Sequence, residues 1–397
     1  MDHIVFLRTA AADLTAGKPP LAGVPASAPL SAAAAAIPAS QEAAVAVWRD
    51  GASPPLAPTA ATVLGLLSSL DVIAFLASHS GDAAAAMKTP AGDVVAHDPS
   101  LVREVEPHTR LIEIMELMKQ GARQVLVRKN ITEPSTVDKR PFAPFYRAVL
   151  KLTGTPRASS PAQNAGRSSP SPSSTFGCDK YCCLTREDII RFLINCLGAL
   201  APTPLQSVSS LGAVNRGYAH VEATAPAIEA AWKAPREPRA VAVVQTYSDG
   251  SRAILADVSA HRLWRRDYVA AADAMASLSS LDFAAGVDAC GAAAWAGTDG
   301  AGARRRGEGE EADAVAPSPS SRRFSSRRAA NQMMACHGRN AALTCSTTSS
   351  LAAVMAQMLS YRATHIWVTE GEDDVLVGVV GYMEIFDAVT RAVAPPA

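Results

Sequence analysis

The chain has 397 residues, of which 48% are apolar, and its 37 basic side chains balance its 37 acidic ones. This length gives room for two or three domains of ordinary size, and the zero net charge gives no reason to expect nucleic acid or an anionic membrane as a partner. Seven cysteines without a framework spacing indicate reduced thiols, so we expect an intracellular protein, in the cytoplasm or alternatively in the nucleus.

A short apolar strand, a turn and the beginning of a helix recur four times along the chain. The four copies span residues 63–73, 181–190, 254–263 and 376–386. Around each copy the apolar pattern predicts one unit with the order strand, helix, strand, strand, helix. Because an internal repeat indicates the architecture before any site is considered, we predict an α+β fold of four similar units.

The spacing of apolar residues predicts the helices and strands of the first two units. In the first unit we expect a helix at 31–37, with Ser31 as its N-cap, and a strand at 43–47. In the second unit the helix carries apolar residues at i, i+3, i+4 and i+7, ends at Gly121 and precedes a strand at 124–128. Those four apolar residues are Leu111, Ile114, Met115 and Met118.

The last two units repeat this order. In the third unit we expect a helix at 225–232 and a strand at 240–244. In the fourth, residues 347–350 are expected to cap a helix with the same apolar spacing as in the second unit, and a strand is expected at 365–368. The apolar residues of this helix are Leu351, Val354, Met355 and Met358.

Two insertions, one within the second unit and one before the fourth, contain stretches that are poor in large apolar side chains. One insertion, 131–176, contains a Ser/Pro-rich segment, and the other, 291–330, is rich in Gly, Ala, Arg and Ser. The Ser/Pro-rich residues 155–175 and the residues 291–330 cannot bury enough surface to offset the chain entropy, so we predict disorder in both, and the insertion 131–176 is expected to be partly disordered. Arginine runs within 304–328 could form a nuclear signal or a phosphorylation segment, although a solvated loop is the commoner explanation.

The repeated strand-to-helix junction resembles that of the CBS domain, the cystathionine-β-synthase-type repeat. The resemblance extends over nearly the whole chain outside the insertions and is clearest in the second and fourth units. With the segment 13–20, the four copies are similar to plant four-repeat CBS-domain proteins, which are related to the γ subunits of AMP-activated kinases. The resemblance implies four CBS repeats, at 10–80, 95–198, 203–270 and 331–393.

The same resemblance implies a function. CBS repeats pair through their sheets into Bateman modules, here the first unit with the second and the third with the fourth. The cleft between paired repeats binds an adenosine-containing ligand such as AMP, ATP or S-adenosylmethionine. By this resemblance the chain is a non-enzymatic sensor without a cofactor. It is expected to modulate a protein partner such as an AMP-activated-type kinase, and the formation of a homodimer is an open alternative.

The first two junctions contain a hydroxyl and a carboxylate three residues apart, Ser68 with Asp71 and Thr185 with Asp188. A helix N-terminus offers free N–H groups to a phosphate, and an Asp in the first turn can accept hydrogen bonds from ribose hydroxyls. The same pattern is also an ordinary N-cap that stabilises a helix by about 1 kcal/mol. Both explanations stay open for these four predicted binding residues.

The last two junctions have lost this pair. The third has Ser259 followed by Arg262, and the fourth has Gly381 followed by Glu384. We therefore expect the second module to be structural or to face a partner, although Arg262 or Arg252 could meet a phosphate. No enzyme signature and no second Cys/His pair for a metal site accompanies these junctions, so a ligand-free scaffold that acts through protein contacts is the alternative function.

Overall fold

The computed structural model describes residues 3–15, 17–40, 42–50, 60–79, 81–128, 181–288, 342–371 and 373–393. Across these residues lie four units that share the order strand, helix, strand, strand, helix. The sequence predicts an α+β fold, and the expected combination of helices and strands is confirmed. Both predicted insertions, 131–176 and 291–330, lie outside the described residues.

The first half of the chain contains two of these units, preceded by two short helices, α1 His3–Arg8 and α2 Ala11–Leu14. The first unit comprises β1 Gly23–Pro25, α3 Leu30–Ala36, β2 Ala44–Trp48, β3 Val63–Ser68 and α4 Ser69–Ser78, and the helices α5 Ala83–Ala86 and α6 Ala91–Val94 follow it. The second comprises β4 Val102–Val105, α7 Leu111–Lys119, β5 Gln124–Arg128, β6 Tyr181–Thr185 and α8 Arg186–Asn195.

The second half contains the other two units. The third comprises β7 His220–Glu222, α9 Ala227–Lys233, β8 Ala240–Thr246, β9 Arg252–Ser259 and α10 Ala260–Leu263, and the helices α11 Tyr268–Ser277 and α12 Ser280–Asp288 follow it. The fourth comprises β10 Thr344–Ser346, α13 Leu351–Tyr361, β11 His365–Glu370, β12 Val375–Gly381 and α14 Tyr382–Val393.

Each unit has the same strand pairing. Its first strand runs parallel to the second, and the second runs antiparallel to the third, as in β1, β2 and β3. In the second half of the chain, Val375 of β12 pairs with Ala253 of β9 and thereby joins the third and fourth units into one six-stranded sheet. The strand-to-helix junction of every unit therefore follows the last strand of its three.

Apolar clusters between sheets connect neighbouring units. One cluster joins the sheets of the first and second units and includes Ala46, Leu66 and Leu126. An equivalent cluster joins the third and fourth units around Ala242 and Trp367. The units thus meet in sequential pairs through their sheet faces.

Two larger cores connect the pairs through their helices. One core combines side chains of the first and third units, where α4 packs against α11. The other combines the second and fourth units, where α7 packs against α14 and α8 against α13. Each unit consequently shares apolar surface with two others.

The predicted apolar faces of α7 and α13 are confirmed, because all eight of their predicted residues are buried. The predicted N-cap at Ser31 is wrong, since α3 begins one residue earlier, after Pro29. The first N–H groups of this helix, those of Leu30 and Ser31, donate to the carbonyl oxygens of Thr89 and Met87 at 2.8 and 3.0 Å. Tertiary contacts therefore satisfy donors that a capping side chain would otherwise satisfy.

None of the helices within the described residues has the length and apolarity that crossing a membrane requires.

Candidate functional site

The predicted pair Ser68 and Asp71 lies where β3 passes into α4. Asp71 Oδ2 accepts hydrogen bonds from the Ser68 N–H at 2.9 Å and from the Ser68 hydroxyl at 2.5 Å. The Asp71 N–H donates in return to the Ser68 hydroxyl oxygen at 3.3 Å. This reciprocal arrangement is a capping box, which fixes the direction of the carboxylate at the helix N-terminus.

The pair Thr185 and Asp188 has a similar geometry where β6 passes into α8, although the Thr185 hydroxyl accepts no capping hydrogen bond. Asp188 Oδ2 accepts from the Thr185 N–H and from the Thr185 hydroxyl, both at 3.0 Å. The side chain of Asp188 is only 1% exposed, whereas that of Asp71 is 27% exposed. In both pairs one carboxylate oxygen serves the helix N-terminus, and Oδ1 remains for another partner.

Cations from other parts of the chain occupy those remaining oxygens. Asp71 Oδ1 contacts the guanidinium group of Arg239, which precedes β8 in the third unit. Asp188 Oδ1 contacts the ammonium group of Lys18, which precedes the first unit, and lies 3.5 Å from Nη1 of Arg191. Both predicted binding carboxylates are thus paired with positive charge.

The junctions of the third and fourth units are completed differently. In the fourth, Glu384 accepts from the Gly381 N–H at 2.9 Å and from the amide side chain of Asn215 at 3.0 Å. In the third, Arg262 donates to Asp257 Oδ1 at 2.6 Å. The guanidinium of Arg262, one of the suggested phosphate contacts, is therefore already paired with the buried carboxylate of Asp257.

All four units line one small polar cavity at the centre of the molecule. Ser68 lies on it, and so does Arg186, the residue after Thr185, so the two predicted helix N-termini face a common space. The lining residues are Glu42, Ser68, Arg123, Arg186, Glu237, Arg239, Ala260, His261 and Thr364. Three arginines, two glutamates and an imidazole therefore line a region to which all four units contribute.

Arg186 lines this cavity with a side chain that is only 3% exposed. Its guanidinium donates to Glu42 of the first unit through Nη2 at 2.6 Å and through Nε at 3.2 Å. Its Nη1 lies 2.8 Å from Glu237 of the third unit, and the guanidinium stacks 4.7 Å from the ring centre of Tyr382 in the fourth. One side chain of the second unit therefore contacts the other three units.

The charges of this cluster perturb one another. Burial alone would lower the pKa of Arg186, but the carboxylates of Glu237 and Glu42 raise it above its ordinary value. Burial alone would raise the pKa of Glu237, yet Arg186 and Arg123 hold it below its ordinary value. Both groups therefore stay charged, and the cluster presents fixed charges to anything that enters the cavity.

Two histidines continue the cavity toward the interface of the third and fourth units. The rings of His261 and His365 lie 5.5 Å apart, and His365 lies 5.1 Å from the ring of Trp367. Burial, with a contribution from His365, lowers the pKa of His261 to about 3. His261 is therefore neutral at physiological pH and can take part in a hydrogen bond with the Ser259 hydroxyl at 3.1 Å.

The sequence pattern predicted the two junction pairs, including Ser68, but not the charged residues that line the cavity with it. Glu42, Arg123 and Arg239 lie just before the middle strands of their units, where a charge also suits an ordinary solvated loop. Arg186 offered one usable signal, since it is a charged residue directly inside the repeated junction. The pairing partners could not be identified, because Glu42 and Arg186 are 144 positions apart.

Known proteins provide an independent comparison. No protein-family model matches the chain. The CBS domain-containing protein CBSX6 of Arabidopsis thaliana is 41% identical over 98% of this chain and 94% of its own length. The Arabidopsis CBS domain-containing protein CBSX5 is 27% identical, with 94% of each chain covered.

A solved structure resembles the fold. Protein MJ1225 of Methanocaldococcus jannaschii, a proposed archaeal homolog of g-AMPK, superposes with a TM-score of 0.50 over 95% of this chain and 99% of that one. The two sequences are only 10% identical, so this similarity concerns the fold alone. With repeated junctions, a shared fold and an Arabidopsis relative at 41% identity over almost its full length, the chain belongs to the family of CBS domain-containing proteins.

Proposed function

We propose that the chain is a non-enzymatic regulatory protein whose four units are CBS repeats, at 10–80, 95–198, 203–270 and 331–393. The repeats pair into two Bateman modules, the first with the second and the third with the fourth. The apolar clusters between sheet faces support this pairing, because each joins sequential units.

The regulatory ligand that we propose is adenosine-containing, of the class of AMP, ATP or S-adenosylmethionine, and it binds in the cleft of the first module. The observation that carries this proposal is the pair of carboxylates, Asp71 and Asp188, each fixed at a helix N-terminus from which another residue, Ser68 or Arg186, lines a common cavity. Helix N-termini and guanidinium groups attract phosphate, and a carboxylate accepts hydrogen bonds from ribose hydroxyls. Ser68 and Thr185 supply the adjacent hydroxyls.

Thermal unfolding in the presence of ligand tests this function. A ligand that binds only the folded chain at 100 times its dissociation constant adds about 2.7 kcal/mol, which corresponds to a shift of several degrees in Tm. We expect AMP, ATP or S-adenosylmethionine to produce such a shift in the full chain. The double variant Asp71→Ala and Asp188→Ala is expected to lose it.

Asp282→Ala is the matched control for this experiment. Asp282 forms the same hydroxyl-carboxylate box with Ser279 at the start of α12, where Ser279 donates at 2.6 Å on an exposed surface. Its removal costs a helix cap without touching the proposed cleft, so the ligand-induced shift should persist. If no adenosyl ligand shifts Tm in the wild-type chain, the sensor function is wrong.

The regulated partner that we propose is a protein, such as a kinase of the AMP-activated type. This proposal rests on the resemblance of the fold to a proposed g-AMPK homolog. Affinity capture with the full chain, with and without AMP, tests whether a kinase is retained. A retained kinase whose recovery is independent of every adenosyl ligand would favour a scaffold over a sensor.

A ligand-free scaffold is the second candidate function. The small size of the cavity and the ion pairs across it favour this alternative, since Glu42, Arg186 and Glu237 already satisfy one another. The loss of the hydroxyl-carboxylate pair in the third and fourth junctions points the same way. The two candidates differ in the Tm measurement, because a scaffold gives no shift with any adenosyl ligand.

A further inference from the structure

Both carboxylates proposed to hold ribose already contact a cation of the same chain. Asp71 Oδ1 contacts Arg239, and Asp188 Oδ1 contacts Lys18. The second oxygen of each carboxylate is engaged by the N–H and hydroxyl at its own helix N-terminus. A ribose hydroxyl that approaches either Asp must therefore take Oδ1 from the cation or share it.

Lys18 covers its carboxylate closely. The segment that carries it is docked on β6, where the Cys183 N–H donates to the Pro19 carbonyl oxygen at 3.0 Å. Lys18 is 11% exposed and Asp188 is 1% exposed, so solvent scarcely reaches this pair. A ligand can gain access to Asp188 only if the Lys18 side chain moves away.

Arg239 holds the other carboxylate from across the interface between modules. Its Nη1 donates to the Ala234 carbonyl oxygen of its own unit at 2.7 Å, and its Nη2 contacts Asp71 of the first unit. Releasing Asp71 therefore weakens a contact between the first and third units. Binding in the first module and the packing of the second module against it share this ion pair.

We infer that Lys18 and Arg239 are in-chain competitors of the ligand, so that ligand binding releases the segment 17–20 and loosens the contact between the first and third units. The inference rests on the proposed function and adds how occupancy of that site is transmitted. Because coupling between two equilibria is reciprocal, whatever tightens these two ion pairs must weaken ligand binding by the same factor.

The fourth unit provides an internal comparison. Asn215 packs beside β12, where its N–H and carbonyl oxygen both pair with Val379 at 2.9 Å, much as the Lys18 segment packs beside β6. Its neutral amide donates to Glu384 at the position where Lys18 contacts Asp188. The second module thus has an uncharged group where the first has a charged competitor, and Asn215 is a suitable control position.

Isothermal titration of the full chain with adenosine tests the inference. Adenosine is the probe because it lacks a phosphate, whose attraction to Lys and Arg would oppose the effect. We expect Arg239→Gln to raise the affinity about two- to fivefold, as removal of a partly exposed ion pair implies. Lys18→Gln should raise it at least as much, because that pair is more deeply buried.

Two control variants leave the competing pairs intact. Asn215→Ala removes the equivalent contact of the second module, and Arg236→Gln removes the neighbouring ion pair with Asp98 at 2.5 Å. Neither should change the affinity for adenosine. A second readout is hydrogen exchange at the Cys183 amide, which should become faster when adenosine or AMP is bound, since its acceptor Pro19 moves away.

The possible outcomes separate this inference from the proposed function. If the wild-type chain binds an adenosyl ligand but neither Gln variant binds adenosine more tightly, the competition is refuted and the sensor function stands. A merely structural role of Lys18 and Arg239 would give that result, because destabilised variants bind more weakly. If the wild-type chain and both variants bind no adenosyl ligand, the sensor function is wrong and the competition with it.

Discussion

At the scale of single residues, Arg186 is the side chain on which the centre of the molecule depends. It contacts Glu42, Glu237 and Tyr382, one from each of the other three units. Removing one partner of a buried ion pair leaves an uncompensated charge and costs about 3–5 kcal/mol. We therefore expect Arg186→Met to lower the free energy of unfolding by about that amount, as measured by urea denaturation.

Two further variants identify the source of this loss. Adding Glu42→Gln to Arg186→Met should recover part of the stability, because the orphaned carboxylate, 4% exposed, is then neutral. Arg191→Met is the surface control, since Arg191 is 37% exposed and its ion pairs should contribute at most about 1 kcal/mol. Equal losses in Arg186→Met and Arg191→Met would contradict a central role for Arg186.

Local residue patterns predicted the hydroxyl-carboxylate pairs but not the cations that face them. Ser68 and Thr185 were predicted because a hydroxyl, a carboxylate and a helix N-terminus form a local pattern within four residues. Ser279 and Asp282 form that pattern too, at a helix that no strand precedes, so by itself it indicates a cap. The cations that face Asp71 and Asp188 come from positions 168 and 170 residues away, and no local pattern specifies such partners.

At the scale of elements, the last strands of the first and fourth units depend on a glycine at the same repeat position. A Cβ on Gly65 would lie 2.2 Å from the Ala96 carbonyl oxygen, and one on Gly378 would lie 2.8 Å from that of Asn215. In the first unit the neighbouring segment is held there by the Asp98 N–H, which donates to the Leu64 carbonyl oxygen at 2.8 Å.

A side chain on β3 should therefore disturb the packing of the segment beside it. We expect Gly65→Ala to destabilise the chain by about 1–3 kcal/mol, the usual cost of overpacking, as measured by urea denaturation. Gly81→Ala is the control, since a Cβ there meets no atom within 4 Å, and it should change stability by less than about 0.5 kcal/mol. A neutral Gly65→Ala variant would show that residues 95–98 are not fixed against β3.

Elements with a strong apolar period were predictable, and weakly periodic ones were not. The helices α7 and α13 and the strand β5 follow the expected residues, because their large apolar side chains repeat at regular intervals and become buried. The helices α11 and α12 were not predicted. Three of the five buried residues of α11 are alanines, and alanine-rich segments show little contrast between an inner and an outer face.

At the scale of the whole molecule, the two large apolar cores do not follow the division into sequential pairs of units. One core contains Ile73 of α4 together with Met275 of α11, so it spans the first and third units. The other contains Ile190 of α8 together with Met355 of α13, so it spans the second and fourth. Sheet faces bind units within a pair, whereas helices bind the pairs to each other.

This division of roles connects the two sequential pairs of units. Every unit contacts one neighbour through its sheet and another through its helices. A shift of one helix N-terminus is therefore expected to alter the contacts on both of these surfaces. Arg186 and Arg239 lie where these surfaces meet. The helical packing of the first unit with the third, and of the second with the fourth, could not be predicted from the repeat. Similar apolar faces on the helices of four units allow several such pairings.

Separating the halves of the chain tests this arrangement. A fragment of residues 1–201 or 202–397 exposes the helical faces of two units, and apolar patches of that extent drive association or aggregation. We expect neither fragment to remain a folded monomer in size-exclusion chromatography with light scattering, whereas the two together form a 1:1 complex with cooperative unfolding. If both fragments were folded monomers that did not associate on mixing, the cores between α4 and α11 and between α8 and α13 would contribute little to the stability of the fold. The proposed transmission from Asp71 through Arg239 would then lack the packed interface that it requires.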